Sequence, residues 1–473
     1  MPGIDVDALA LYLSRPSLAL GVYPASPWAD GSPAGQPAPL GAGFDALGVT
    51  DARGLGVADP RELAERLRDA AARAIGAHRT VAVLHDGSVG ATALLVAATA
   101  AGRALGAEVT VVVADHPDAD GAGIAVATQR VVAALDDGHR FLLAETGRLG
   151  TGSPPGAGLG EEGWAASAGS GAGWNPVAPD LARTPLVRAA EARAARLGAT
   201  LLLTAEGCED VLQAGPLPSR PRGTWAARRQ LADRWRTEGA AAVLADATSV
   251  LGRGARARRL RAGLQVALAP FAEALGDPPR VLPPGRLARV EEWTAGWIRR
   301  LVEGLAAHRD PVRAYVLART TRFAGPLPAA VAAAAGLPRR SPFLDPAFTA
   351  WAVRLPAAAR YDPRLPAPHL RRNGLLVSLV PRAARHVLPT TAVIGPAGPA
   401  TARAARAADH PLCQALGVLD RDAGPMEPAE AREQAEAREQ AEPMEPAVAA
   451  RLAVLEEWLA GAGRVSRPAR TGG

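Results

Sequence analysis

Two short runs carry the side chains whose types and spacing suit chemistry. His85–Thr92, HDGSVGAT, follows the strand-like run Thr80–Leu84 and leads into the helix formers of Ala91–Ala101. A strand, a tight turn and a helix in that order aim the free N–H groups of the helix start beyond the strand's carboxyl end, together with the positive end of the dipole. Phosphate suits such a cradle, because Gly87 and Gly90 allow close backbone approach and Ser88 and Thr92 add hydroxyl donors. Glycine in a first βα turn also serves packing alone, so the turn by itself does not decide between the two uses. The second run, Ala205–Gly215 (AEGCEDVLQAG), holds Glu206, Glu209 and Asp210. Three carboxylates within five residues repel one another; they either splay into solvent or gather round a cation.

Composition removes other chemistries. The 53 basic residues are all arginine, so Schiff-base and lysine general-base steps are excluded. A formal net charge of +6 fits a solvated arginine surface or attraction for an acidic peptide, nucleotide or nucleic acid. The densest arginine run, Arg253–Arg261, has no interleaved aromatics, which favours a solvated helix face over a nucleic-acid partner. Cys208 and Cys413 match no metal or redox spacing and predict reduced thiols. No apolar stretch approaches about 18 residues without arginine, glycine or proline, and no basic-then-apolar leader opens the chain. The expectation is a soluble cytoplasmic protein with no membrane partner.

The elements that would position these runs follow from periodicity. Asp59 and Pro60 read as the cap and first residue of a helix with Leu63, Leu67, Ala71, Ala74 and Ile75 on one face. Glu108–Ala114, Arg140–Ala144 and Thr200–Thr204 read as buried strands, separated by helical patterns at Ile124–Leu135 and Leu186–Leu197. Strands and helices in alternation predict an α/β fold, a mostly parallel sheet with helices on both faces. Helical patterns at Thr224–Glu238, Ser249–Ala272 and Val290–Ala307 predict a helical lobe after it. Residues 1–59 read as irregular and Gly/Pro-rich, 60–400 as the main domain and 401–473 as a helical, low-complexity tail. Thr151–Asn175 is a Gly/Ser-rich loop, and Pro425–Ala447 repeats EAREQA twice between two copies of PMEPA.

Three stretches in order resemble the synthetase domain of asparagine synthetases and their relatives, the β-lactam synthetases and lasso-peptide cyclases. VAVLHDGSVGATALL is similar to that family's strand and SGGxDS pyrophosphate loop. LLLTAEGCEDVLQAG resembles its LLTGEGxDELFGG, and RRSPFLDPAFTAWAVRLP at Arg339–Pro356 resembles its RxPFLDxxxxxxAxxLP. The resemblance spans Pro60–Leu388. It implies an adenine nucleotide alpha hydrolase-like fold with a helical C-terminal lobe, and ATP and Mg2+ as cofactors. It further implies adenylation of a small-molecule or peptide carboxylate, then amide formation by an attacking amine. Asp86, Gly87, Ser88, Gly90 and Thr92 would bind the nucleotide, Glu209 and Asp210 the metal, and Glu206 and His369 would be catalytic. The family's glutaminase domain, with its cysteine nucleophile, does not fit before Arg79. The amine is therefore expected from the substrate or from a partner protein, which would supply it or a precursor peptide.

The departures are specific. Against SGGxDSS the chain reads DGSVGAT. Asp86 stands at the first serine, Ser88 at the second glycine and Gly90 at the metal-binding aspartate. A carboxylate facing pyrophosphate repels it unless a metal intervenes, so Asp86 is either a relocated ligand or a mark of loss. Glu209 replaces the second loop's metal-binding aspartate. The family's lysine would fall near His369, where His369, Arg371 or Arg372 must substitute, and only the histidine can act as a base. Reverting the loop with Asp86→Ser and Gly90→Asp is expected to tighten ATP–Mg binding. Two functions follow as expectations: a divergent ATP-dependent amide ligase of peptide or natural-product tailoring, and a catalytically impaired relative serving as a partner or peptide-binding scaffold.

Overall fold

The computed structural model describes Val6, Leu9, Ala10 and residues 59–114, 124–135, 140–144, 185–214, 224–249, 253–267, 283–306, 337–355 and 359–389. The segments expected at Thr151–Asn175 and 401–473, and nearly all of 1–59, lie outside the described residues.

Helix α1 (Pro60–Ile75) begins as its sequence predicts. The Asp59 carboxylate accepts the Arg61 N–H at 2.9 Å, Pro60 fills the first helical position, and Leu63, Leu67, Ala71 and Ile75 are buried. Strand β1 runs Thr80–His85, one residue further than the periodicity indicated, and α2 (Val89–Leu105) takes in Gly90, which the sequence placed in the turn. The chain continues through β2 (Glu108–Ala114), α3 (Ile124–Leu135), β3 (Arg140–Ala144), α4 (Pro185–Arg196) and β4 (Leu201–Leu203). A two-residue β5 (Arg339–Arg340) completes one parallel sheet in the order β3-β2-β1-β4-β5.

Side-chain alternation sorts the sheet's two faces. Val81, Val83, Val111, Val113, Leu201 and Leu203 pack with α1, α2 and α3 on one face. Ala82, Val112 and Leu202 pack with Ala190 and Ala194 of α4 on the other. Burial on both faces is why these strands read as apolar runs and why the sheet is parallel. The chain builds outward from β1 through β2 to β3, then crosses the opposite face to place β4 on β1's free side, with Val83 level with both Val111 and Leu203. The order therefore reverses between β1 and β4. In such a sheet the crevice for ligands opens at this reversal, beyond the strands' carboxyl ends.

Beyond β4 lie α5 (Cys208–Leu212), α6 (Trp225–Ser249), α7 (Arg253–Ala267) and α8 (Pro284–Leu305), with α6 packed on α7 and α7 on α8. After β5 come α9 (Pro346–Ala352), α10 (Pro368–Arg372) and α11 (Gly374–Leu379). The third sequence run is a structural clamp. Asp345 caps α9 through the Phe348 N–H at 2.9 Å and takes a two-pronged bond from Arg73 of α1, at 2.7 and 3.0 Å. Burial opposes ionisation of Asp345, but the Arg73 and backbone donors outweigh it and hold the carboxyl below its ordinary range. Phe343 and Phe348 meet edge to face at 6.0 Å beneath it. Among the described residues no helix is long and apolar enough to cross a membrane.

Candidate functional site

The first loop leaves β1 at His85, a buried residue that the sequence reading treated as part of the turn. Gly87, at φ 79°, lets the backbone reverse so that its own N–H donates to His85 Nδ1 at 3.1 Å. With a donor facing Nδ1, the ring proton sits on Nε2 and is given to Thr92 Oγ1 at 3.2 Å. Thr92 Oγ1 in turn donates to the Ser88 carbonyl at 3.1 Å, and Thr128 of α3 donates to His85 Nδ1 at 3.2 Å. Burial pushes the imidazole down to about 4, with Asp86 opposing weakly, so His85 is neutral at ordinary pH. The side chain is a brace between β1, the loop and α2.

Other polar groups of the loop pair among themselves. Asp86 Oδ1 accepts the Ser88 N–H at 3.0 Å, and Ser88 Oγ caps α2 by accepting the Ala91 N–H at 3.0 Å. The Thr92 N–H goes to the Ser88 carbonyl at 3.1 Å.

The second loop lies directly alongside, as the pairing of β1 with β4 requires. Gly207 turns the chain into α5, and Cys208, nearly fully buried, projects towards α2. A Cβ added to Gly90 would stand 2.2 Å from Cys208 Sγ and 3.2 Å from its Cβ. The sulfur thus occupies the space that a side chain at position 90 would need. Burial first, then the charges of Glu209, Asp86 and Asp210, push the thiol well above its ordinary pKa, so it packs as an unreactive apolar group. Glu206 is exposed; its carbonyl accepts the Ser341 hydroxyl at 2.6 Å, which ties this loop to the third run.

Comparison with protein-family models and with curated proteins finds no match to this chain.

Glu209 and Asp210 open the first turn of α5. Glu209 Oε1 accepts a long bond, 3.5 Å, from Asn373 Nδ2 at the start of α11. Desolvation of its carboxyl, then the charges of Asp210 and Asp86, raise its pKa although the side chain keeps an exposed edge; Arg372 pulls the other way. The candidates in α10 divide accordingly. Arg372 is the cation whose field reaches Glu209, whereas Arg371 is buried against Asp233 of α6. His369 lies one helical turn before them, half-buried. The two loops, Asn373 and Arg372 therefore come together, with Glu206 on the rim.

The first loop as folded is poorly arranged for the phosphate that the resemblance implies. The N–H groups of Gly87 and Ser88 and the Thr92 hydroxyl already donate inside the loop, the Ser88 oxygen is turned to the Ala91 N–H, and the Asp86 carboxylate stands where a phosphate would add like charge. Among the described residues no three His, Cys, Asp or Glu side chains gather to hold a metal ion. An aspartate at position 90 would press on Cys208, so the reversion Asp86→Ser/Gly90→Asp is best tested together with Cys208→Gly, which makes room for the new side chain. The same contact predicts that Gly90→Ala costs about 1–3 kcal/mol, despite alanine's better helix propensity, and that Cys208→Ala in the same chain recovers most of the loss. Urea unfolding of the single and double variants measures both. His85 and Asn373 were not among the candidate site residues and Cys208 was read only as a reduced thiol; the one signal for His85 was a histidine continuing the strand's apolar run.

Proposed function

We propose that this chain is a binding scaffold built on an asparagine-synthetase-type, adenine nucleotide alpha hydrolase-like frame. In this reading its phosphate loop has become a packed joint between β1, α2 and α5. The observation that carries the reading is the contact of Cys208 Sγ with Gly90, supported by the internal pairing of the loop's donors. With the Gly87, Ser88 and Ala91 N–H groups paired inside the loop, a phosphate would find only the Val89 and Gly90 N–H groups of the helix start and the Ser88 hydroxyl, and recruiting the rest of the cradle would require breaking the Asp86–Ser88 and His85–Gly87 bonds. The frame then serves to present surface to a peptide or protein partner.

The ligase reading has one observation in its favour. Glu209 stays at the crevice beside Asn373 and under the field of Arg372, a carboxylate with a cation close to hand. The two readings separate in one assay, pyrophosphate release from ATP with magnesium and a panel of carboxylates. The scaffold releases none above background, and ATP–Mg leaves its thermal midpoint unchanged. Release that falls roughly a hundredfold in Glu209→Ala would overturn the scaffold and establish a ligase. Under the scaffold reading the same substitution is close to neutral for stability.

A further inference from the structure

Helix α6 is amphipathic in reverse. Ala226, Ala227, Gln230 and Asp233 are buried, while Trp225 and Trp235 are each 58% exposed and Leu231 is 37% exposed. At 100° per residue the buried four share one side, and Trp225, Arg228, Leu231 and Trp235 line the other. Scattered exposed apolar residues need no explanation, but two tryptophans and a leucine on one stripe of a helix that buries an aspartate do. The stripe is also positive. Arg228 and Arg236 are exposed, and the Arg229 guanidinium lies 5.4 Å over the Trp225 ring. Asp233, the acidic residue within Trp225–Arg236, faces inward and is matched by Arg371, with Arg236 3.7 Å away.

The chain's own sequence holds the complement. Pro425–Ala447, outside the described residues, contains seven glutamates and two arginines, a net charge of −5, with a glutamate at every third position from Glu427 to Glu445. Met426 and Met444 stand near its two ends, adaptable side chains suited to aromatic faces. It is joined to Pro389, where the described residues end, by the 35 residues 390–424. Fully extended, such a tether spans up to about 120 Å. A domain of this size is roughly 50 Å across, so α6 is within reach.

We propose that Trp225, Arg228, Leu231 and Trp235 form a docking face for the chain's own acidic segment Pro425–Ala447. Surface ion pairs are individually weak and screened by salt, but a segment tethered to its face acts at an effective concentration near the millimolar range, which makes weak contacts sufficient. This inference stands whether or not the chain is an enzyme.

The test uses the full chain with a benzophenone amino acid at Leu231, illuminated and mapped by mass spectrometry, with labelled and unlabelled chains mixed. Cross-links should fall within 425–447 of the same chain. Their yield should drop at least about threefold in Arg228→Glu, and similarly at about 0.5 M salt. Arg228 is exposed on the stripe, and an unchanged thermal midpoint certifies that the reversed variant is folded. Cross-links that avoid 425–447, or a yield that charge reversal leaves intact, would overturn the proposal. Links between labelled and unlabelled chains would overturn it too, assigning the stripe to a second copy.

Discussion

Asp233→Ala should destabilise the protein by about 3–5 kcal/mol, a large part of the roughly 5–15 kcal/mol that separates folded from unfolded chains. Asp233 of α6 and Arg371 of α10 are 1% and 3% exposed. Arg371 donates from Nε and Nη2 to the Asp233 carboxylate, each at 2.7 Å, and from Nη1 to the carbonyls of Leu365 and Pro366. The Tyr361 hydroxyl adds a third bond to the carboxylate, at 2.7 Å. Burial opposes ionisation of Asp233, but these donors outweigh it and hold the carboxyl below its ordinary range. Removing the carboxylate leaves a guanidinium inside the protein with no counter-ion, and that cost exceeds whatever the intact pair contributes. Arg371→Met should cost a similar amount, and the double variant Asp233→Ala/Arg371→Met much less than the sum. Urea unfolding of all four proteins closes the cycle. A single-variant loss below about 1 kcal/mol would mean that the pair does not join α6 to the α10 segment.

Stability should also fall between pH 6.5 and 4, and His85 should be the main cause. The folded imidazole resists protonation until about 4, whereas in the unfolded chain it titrates near 6.5. Below 6.5 the unfolded state therefore binds a proton that the folded state refuses. Stability is complete above that pH and declines as acid is added, reaching a loss on the order of 3 kcal/mol near pH 4. Protonation would also set a donor on Nδ1 against the Gly87 N–H, which breaks the brace. His78, lowered by burial and by Arg340, adds a smaller loss of the same sign. Glu209, whose pKa is raised, acts in the opposite sense. Asp233 and Asp345, both lowered, withdraw their contributions only further down, below the unfolded carboxylate value of 3.8. Substituting His85→Gln keeps an acceptor for the loop and removes its titration, so most of the decline between 6.5 and 4.5 should disappear, leaving the smaller contributions of His78 and Glu209. An unchanged slope in that variant would show that another group is responsible.

Local signals in the sequence were sufficient for the frame. The Asp59–Pro60 start of α1, the β-branched strands β1 and β2, and the alternation of strand with helix all depend on neighbours within a few residues, and the structure places them within a residue or two of expectation. The two candidate loops lie side by side because parallel strands that follow helices deliver their carboxyl ends to the same edge, and β1 pairs with β4. What the loops contain was decided by contacts between distant positions. Gly90 looked like a lost ligand; in the fold it is the space Cys208 fills. Asp86 was left open between relocated ligand and loss, and its carboxylate is engaged with the Ser88 N–H. His85 is the end of a strand rather than the start of a turn, because burial under Thr92 and Thr128 adds distant partners to the Gly87 N–H that faces Nδ1. The inward Asp233 and outward Trp225 and Trp235 of α6 contradict a plain amphipathic reading for the same reason. Which side of a helix faces the core is set by what lies opposite, and here that is Arg371, more than a hundred residues away in the chain.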